Sequence, residues 1–270
     1  MPDGGALGRR TVSMPRRVII TGASSGIGKA LALRYAGEGA SLGLLGRHRE
    51  RLEAVAKECR ALGAEADAGV VDVRDRAELN RWITDFDRKL PVDLIIANAG
   101  VMEGTRPGGQ IEPPDAAYAL MEINVLGLLN TVQPLLPAMM ARRQGHVALI
   151  GSIAGFVPLA DSPSYAASKA AVLSYGLSLR DLLQPYGVGV SVICPGYIAT
   201  PMMDRENGPK PFAMPADTAA AIIARGIARN KGVVVLPRFF GWVTRIGGVL
   251  PERIRRWTSK SFRFTVGDPE

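Results

Sequence analysis

The chain has 270 residues, 47% of them hydrophobic, with two cysteines and a formal charge of +8. That length suits one α/β domain, which often reaches roughly 250 residues without splitting. A domain of this size buries about three quarters of its unfolded surface and needs no disulfide or metal staple. Cys59 and Cys194 sit in no paired motif and read as small buried apolar residues of a reduced, cytoplasmic protein. His48 and His146 have no ligand-spaced partner, so no metal is expected.

Residues 1–13 are polar and Gly-rich, without the apolar core of a signal peptide, and are expected to be disordered; Met14 is an alternative start. From there to residue 237, short apolar runs alternate with helical patterns. The runs are 18–20, 41–45, 69–71, 94–97, 147–150, 188–193 and 232–236. Near-continuous apolar runs mark parallel strands covered by helices on both faces. Residues 49–62, 118–140 and 164–183 show the 3.6-residue period. Strand–helix repetition implies a doubly wound parallel sheet in a single domain spanning 14–237. No stretch approaches the roughly 18–20 uninterrupted apolar residues of a membrane span.

The first strand runs into Gly22-Ala23-Ser24-Ser25-Gly26-Ile27-Gly28 and then a helix. Glycines at such a turn let the backbone approach a pyrophosphate, while the helix N-terminus offers free N–H groups. The second strand ends in Gly46-Arg47, where an NAD binder usually carries an acid for the ribose 2′-hydroxyl. Gly46 leaves space for a 2′-phosphate and Arg47 can pair with it, so NADP is the expected cofactor. Lys29 and Arg49 are weaker candidates for the same anion. Asp72, followed by Val73, ends the third strand and can accept from an adenine amino group or cap the helix that follows. Asn98-Ala99-Gly100 ends the fourth strand with small residues beside the cofactor.

Ser152 lies just past the fifth strand. Tyr165 follows, and Lys169 comes one helical turn later on the same face. A phenol is a poor base in water. An adjacent ammonium and a cationic nicotinamide would favour its phenolate, so Tyr165 could exchange a proton with a substrate oxygen that Ser152 holds.

These motifs together resemble the short-chain dehydrogenase/reductase family over about residues 15–202. The resemblance implies a Rossmann fold and hydride transfer between NADP(H) and a carbonyl/secondary alcohol pair, with a catalytic set of Asn124, Ser152, Tyr165 and Lys169. In it, Asn124 anchors a water that links Lys169 to solvent, and Lys169 also binds the nicotinamide ribose. Pro195, Gly196, Ile198 and Thr200 border the nicotinamide. A homodimer through the helices at 118–140 and 164–183 is implied as well. The loop 202–214 would form one wall of the substrate pocket, with Met202, Met203, Phe212 and Met214 suiting an apolar ligand.

Nine of the 33 basic side chains and a single acid lie between 229 and 263, which leaves the rest of the chain neutral. Residues 238–270 thus form a basic amphipathic extension in which Val243, Ile246, Val249, Leu250, Ile254 and Trp257 interleave with arginines. Three roles remain open for it: resting on anionic lipid at the inner face of a membrane, packing on the domain or a partner subunit, or covering an apolar substrate. Similar tails in lipid-ketone reductases imply a lipid-like ketone substrate. Two other functions compete. A non-catalytic NADP(H) sensor or scaffold could use the same fold. Nucleic-acid binding through the tail has no recognition motif behind it and is not expected.

Overall fold

The computed structural model describes residues 16–108, 110–237 and 263–267. The expectations for residues 1–13, for Met14 and for the apolar stripe of the extension lie outside these residues.

All seven apolar runs are strands: β1 (Arg17–Thr21), β2 (Ser41–Gly46), β3 (Ala66–Val70), β4 (Leu94–Ala97), β5 (His146–Ile150), β6 (Gly189–Pro195) and, near the end, the strand Val233–Leu236. They form one parallel sheet in the order Val233–Leu236, β6, β5, β4, β1, β2, β3. The chain winds outward from β1 to β3, then returns to the other side of β1 and winds the opposite way. This reversal leaves a crevice at the carboxyl ends of β1 and β4, which is where such sheets bind ligands.

Strand side chains alternate between two cores. Val18, Ile20, Leu42, Leu44, Leu94 and Ile96 pack beneath α1 (Gly26–Gly37), α2 (Arg49–Ala61) and a helix near the end, Ala216–Ala228. Ile19, Leu45, Ile95, Val147, Leu149, Val190 and Val192 face α3 (Arg76–Lys89) and the helices between β4 and β6. Those are α4 (Pro114–Met121), α5 (Gly127–Val132), α6 (Leu136–Arg142) and α7 (Pro163–Leu183). Each such fully buried aliphatic residue contributes about 1.5–3 kcal/mol relative to an exposed one.

The long helix expected at 118–140 is broken. A π-helical turn at Glu122–Leu126 and a 3₁₀ turn at Gln133–Leu135 separate its segments. Pro134 and Pro137 lack the N–H that a continuous helix requires. Within the run Pro114–Arg142 an 18-residue window reaches a mean hydropathy of 1.3, enough to span a membrane by length and composition, yet half of that window is buried in the domain. Tyr118, Met121 and Leu126 on this run, and Leu177 and Leu182 on α7, are exposed.

After β6 the chain makes short elements at the mouth of the crevice: β7 (Ile198–Ala199), α8 (Pro201–Asp204), β8 (Glu206–Asn207) and β9 (Met214–Pro215), which leads into α9 (Ala216–Ala228). The strand Val233–Leu236 is β10, and β11 (Thr265–Val266) pairs antiparallel with β8. Residues 263–267 of the extension are therefore packed onto the domain.

Helix α7 carries Tyr165 and Lys169 and lies tight on the sheet because it crosses β6 and β5 at Gly176. A Cβ there would stand 2.3 Å from a Val192 methyl and 2.9 Å from a Leu149 methyl. Gly176→Val should cost about 1–3 kcal/mol through overpacking and lower Tm by several degrees. An unchanged Tm in thermal unfolding would show that α7 has room to spare.

Candidate active site

The crevice opens into a cavity of about 590 Å³. At its inner end the chain turns sharply after β1. Gly22 and Gly26 adopt φ of +65° and +54°, values that suit glycine. Gly28 is needed for a different reason: a Cβ there would meet the Gly22 carbonyl at 2.2 Å. Ser25 stands at the N-cap of α1 without bonding its backbone, so the first-turn N–H groups face the cavity uncapped. Asn98 holds this turn to β4, donating from Nδ2 to the Thr21 and Gly22 carbonyls at 3.0 and 3.1 Å. Gly22, Ser24, Ser25, Gly26 and Ile27 all line the cavity.

At the end of β2, Gly46, Arg47, His48 and Arg51 line the same space. Arg47 is half exposed and lies 3.9 Å from Asp72. His48 and Arg51 escape a reading focused on the residue after the strand. Arg51 stands in the first turn of α2, which starts at Arg49, and borders the same space as Arg47. Lys29 does not belong here, since it pairs with Glu58 at 2.8 Å on the outer surface. Arg49 is not among the lining residues either. Asp72 and Val73 border the cavity, but Asp72 is already engaged: Arg74 binds both carboxylate oxygens at 2.8–3.2 Å. That ion pair holds the carboxyl of Asp72 below its ordinary range. Asp75, not Asp72, caps α3 by accepting from the Glu78 N–H.

The catalytic candidates meet at the centre. Ser152 is buried, its Oγ accepting from the Ala154 N–H at 3.1 Å, and it shares a hydrogen bond with Tyr165. Tyr165 and Lys169 both face the cavity, with the ammonium 5.5 Å from the phenol ring centre. Lys169 Nζ donates to the Ile150 carbonyl at 3.0 Å. Burial pushes Lys169 down to about 8. The phenol departs from the sequence-based expectation. Part of its surface opens onto the cavity, but protein encloses it, and this burial raises its pKa; the Ser152 hydrogen bond opposes the rise and the Glu206 carboxylate adds to it. With the ammonium turned to a backbone carbonyl, desolvation wins and Tyr165 holds its proton.

Asn124 sits in the π-helical turn, where its side chain is committed to the scaffold. Its Oδ1 accepts from the Val101 N–H at 2.8 Å, and its Nδ2 donates to the Val101 carbonyl and to Ser168 Oγ at 2.9 and 3.1 Å. Asn124 also lies beside Gly100, whose missing Cβ would be 3.1 Å from Oδ1 and 3.6 Å from Lys169 Nζ. Ala99, Gly100, Pro195, Gly196, Ile198 and Thr200 complete the inner wall.

The outer wall is apolar but differs from the one expected. Met202 and Met203 line it. Phe212 is 68% exposed and Met214 packs into the core, so neither reaches the cavity. Pro211, Met102, Leu159 and Phe264 take their place, with Phe264, Met102 and Val266 packed against Tyr165 and Leu159. The segment 263–267 is clamped there by charge. Arg263 binds both oxygens of Asp161 at 2.8 Å, and Asp161 also accepts from the Phe264 N–H. Arg205 and Arg106 pair with Glu103 at 2.8 and 3.0 Å while donating to the carbonyl of Gly267. Nothing in the spacing of the sequence links residue 264 to residue 165. Among the described residues, no cluster of three or more His, Cys, Asp or Glu is placed to hold a metal ion.

Comparison with known proteins agrees with this geometry. An uncharacterized oxidoreductase of Myxococcus xanthus is 34% identical over 237 residues, 87% of this chain and 93% of that protein. Human 17-beta-hydroxysteroid dehydrogenase 13 is 28% identical over 259 residues, 93% of this chain and 85% of that protein. A short-chain dehydrogenase from Sphingobium yanoikuyae, solved in complex with NADPH, superimposes with a TM-score of 0.75 at 26% identity, covering 92% of this chain and 96% of that one. The family model for short chain dehydrogenases matches residues 16–210, which include the glycine turn, Ser152, Tyr165 and Lys169. The chain is thus an oxidoreductase built on a nicotinamide-binding fold, and it belongs to the short chain dehydrogenase family.

Proposed function

We propose that this oxidoreductase is an NADP(H)-dependent reductase of an apolar, lipid-like ketone. The observation that carries this reading is that Ser152, Tyr165 and Lys169 face the same cavity as the uncapped start of α1 and Arg47. The residues fit the dinucleotide. The glycine turn and α1 would hold the pyrophosphate, Arg47 with Arg51 the 2′-phosphate, and Lys169 the nicotinamide ribose. Bound there, the cofactor supplies the hydride.

The chain's own residues supply the proton and the alignment. Ser152 would hold the carbonyl oxygen in line, and Tyr165, which keeps its proton, would donate it to that oxygen as the hydride arrives. The phenolate left behind would be stabilised by the Lys169 ammonium. At neutral pH the phenol is in the protonated form that reduction requires of its donor. The methionines and Phe264 of the outer wall support an apolar substrate, as does the likeness to a hydroxysteroid dehydrogenase. A non-catalytic sensor would need the cradle but not a buried lysine beside a tyrosine.

Tyr165→Phe removes the proton donor and should cut ketone-dependent NADPH oxidation roughly 10²–10⁴-fold while NADPH binding persists. A variant as active as the parent would remove Tyr165 from the chemistry. In the parent enzyme, reduction should weaken as pH rises through about 8, where Lys169 loses the charge that stabilises the phenolate. A flat pH–rate profile from 7 to 9 would contradict that role.

The cofactor preference has its own test. A Cβ at Gly46 meets only ordinary contacts, 3.5 Å to Leu52 and 3.6 Å to Ser24, so an aspartate fits there. Gly46→Asp with Arg47→Ala should move the NADP/NAD ratio of kcat/KM towards NAD by roughly ten- to a hundredfold, the range of one charge-assisted hydrogen bond. Retained NADP preference would mean that the 2′-phosphate is held elsewhere.

A further inference from the structure

Three carboxyl groups border the cavity among the described residues: Asp72, Asp161 and Glu206. The first two are neutralised in place, Asp72 by Arg74 and Asp161 by Arg263. Glu206 is different. Only 6% of its surface is exposed, and it stands in the substrate half of the cavity among Met203, Pro211 and Phe264. It takes a hydrogen bond from the Tyr197 hydroxyl and feels Lys210 electrostatically. Among the described residues no cation is in ion-pair contact with it, and burial raises its pKa.

The backbone fixes this carboxyl. Glu206 pairs with Val266 in the β8–β11 ladder, and the preceding Arg205 is tied to Glu103, to the Met102 carbonyl and to Gly267. A carboxylate in an apolar wall costs desolvation free energy unless something bonds to it. It offers about four acceptor positions, of which Tyr197 uses one. Glu206 is also close enough to Tyr165 to act on its charge state. Since Glu206, Ser152 and Tyr165 line one cavity, a single ligand can reach the carboxyl and the two hydroxyls together.

We propose that Glu206 is a specificity-determining residue that accepts a hydrogen bond from a donor group, hydroxyl or ammonium, within a few bonds of the ketone on an otherwise apolar substrate. This deepens the reading above and rests on it. Met102, Met203 and Phe264 would take the hydrocarbon part, Ser152 and Tyr165 the carbonyl, and Glu206 the donor. A plain ketone would leave the carboxylate buried and half-satisfied, so the site would select against it.

The test uses three ketones of one chain length: a 2-alkanone, its 1-hydroxy derivative and its 1-amino derivative. The full-length parent should reduce the two donor-bearing ketones with kcat/KM roughly ten- to a hundredfold above the plain one. Glu206→Gln should keep the hydroxyl preference and lose at least most of the amino preference, and Glu206→Leu should level all three. A parent that treats the three alike, or a Glu206→Leu variant that still discriminates, overturns the proposal. If the leucine variant fails to fold, the comparison of the parent with Glu206→Gln decides. Calorimetric titration of the matching alcohols onto the NADP-loaded protein separates this inference from the reductase reading. Preferential binding of the amino or hydroxy alcohol by the parent alone, without turnover of any ketone, would end the reductase reading and keep the site. Equal binding would end the site.

Discussion

A buried ammonium organises this molecule. Lys169 lies at the floor of the cavity with 6% of its surface exposed, and such a charge survives only where its donors are met. The Ile150 carbonyl at the end of β5 meets one of them. That bond ties α7 to the sheet at the level of the crevice, next to the stretch where Gly176 lets helix and strands close up. It also fixes where Tyr165 stands, since both residues share a helix face. Gly100 keeps the floor open between Asn124 and Lys169, and Asn124 locks the chain after β4 through paired bonds to Val101. Sheet, π-helical turn and catalytic helix thus converge on one charge.

The two ends of the cavity are built on different principles. The cofactor end is mostly backbone: a glycine turn, an uncapped helix start and small residues after β4, with arginines after β2. Its turn tolerates little change, because a Cβ at Gly22 or Gly28 would collide with backbone. The substrate end is assembled from segments far apart in the chain, 102–106, 159–161, 202–211 and 263–267, stitched by three arginines and two buried carboxylates. Salt bridges of this kind contribute little net stability once desolvation is counted, but removing one partner is costly. They specify where a wall goes.

This division explains what could be read from residues alone. The seven strands, the cofactor turn and the Ser152–Tyr165–Lys169 set follow from local pattern: apolar runs, glycine spacing and a helical i, i+4 pair. Periodicity cannot show that a helix is interrupted, so the π-helical turn around Asn124 was hidden inside an apparently continuous apolar run. Spacing also cannot show which side chain reaches a cavity. Phe212 and Met214 have the right composition for a pocket wall, yet one points to solvent and the other packs beneath α9, because β9 must pair with β7 at that point. Glu206 and Phe264 carry no local signal; only the pairing of β8 with β11 brings them to Tyr165. Burial of the phenol carries no local signal either, since an i, i+4 neighbour suggests a charge effect while desolvation depends on the whole enclosure.

The position of β11 has a consequence for how this enzyme can change. Phe264 touches the same apolar cluster as Tyr165, so the segment 263–267 is coupled to that phenol through packing and, through β8, to the Glu206 carboxylate. A substitution at 263–267 would alter the enclosure that raises the phenol's pKa as well as the shape of the pocket. Substrate range and proton donation are therefore not independent here. A looser outer wall would admit larger ligands but wet Tyr165 and weaken the desolvation that raises its pKa. The arginine clamps on Asp161 and Glu103 act against that loss: they keep the wall closed at a site where apolar contact alone would leave a short, two-residue strand free to peel.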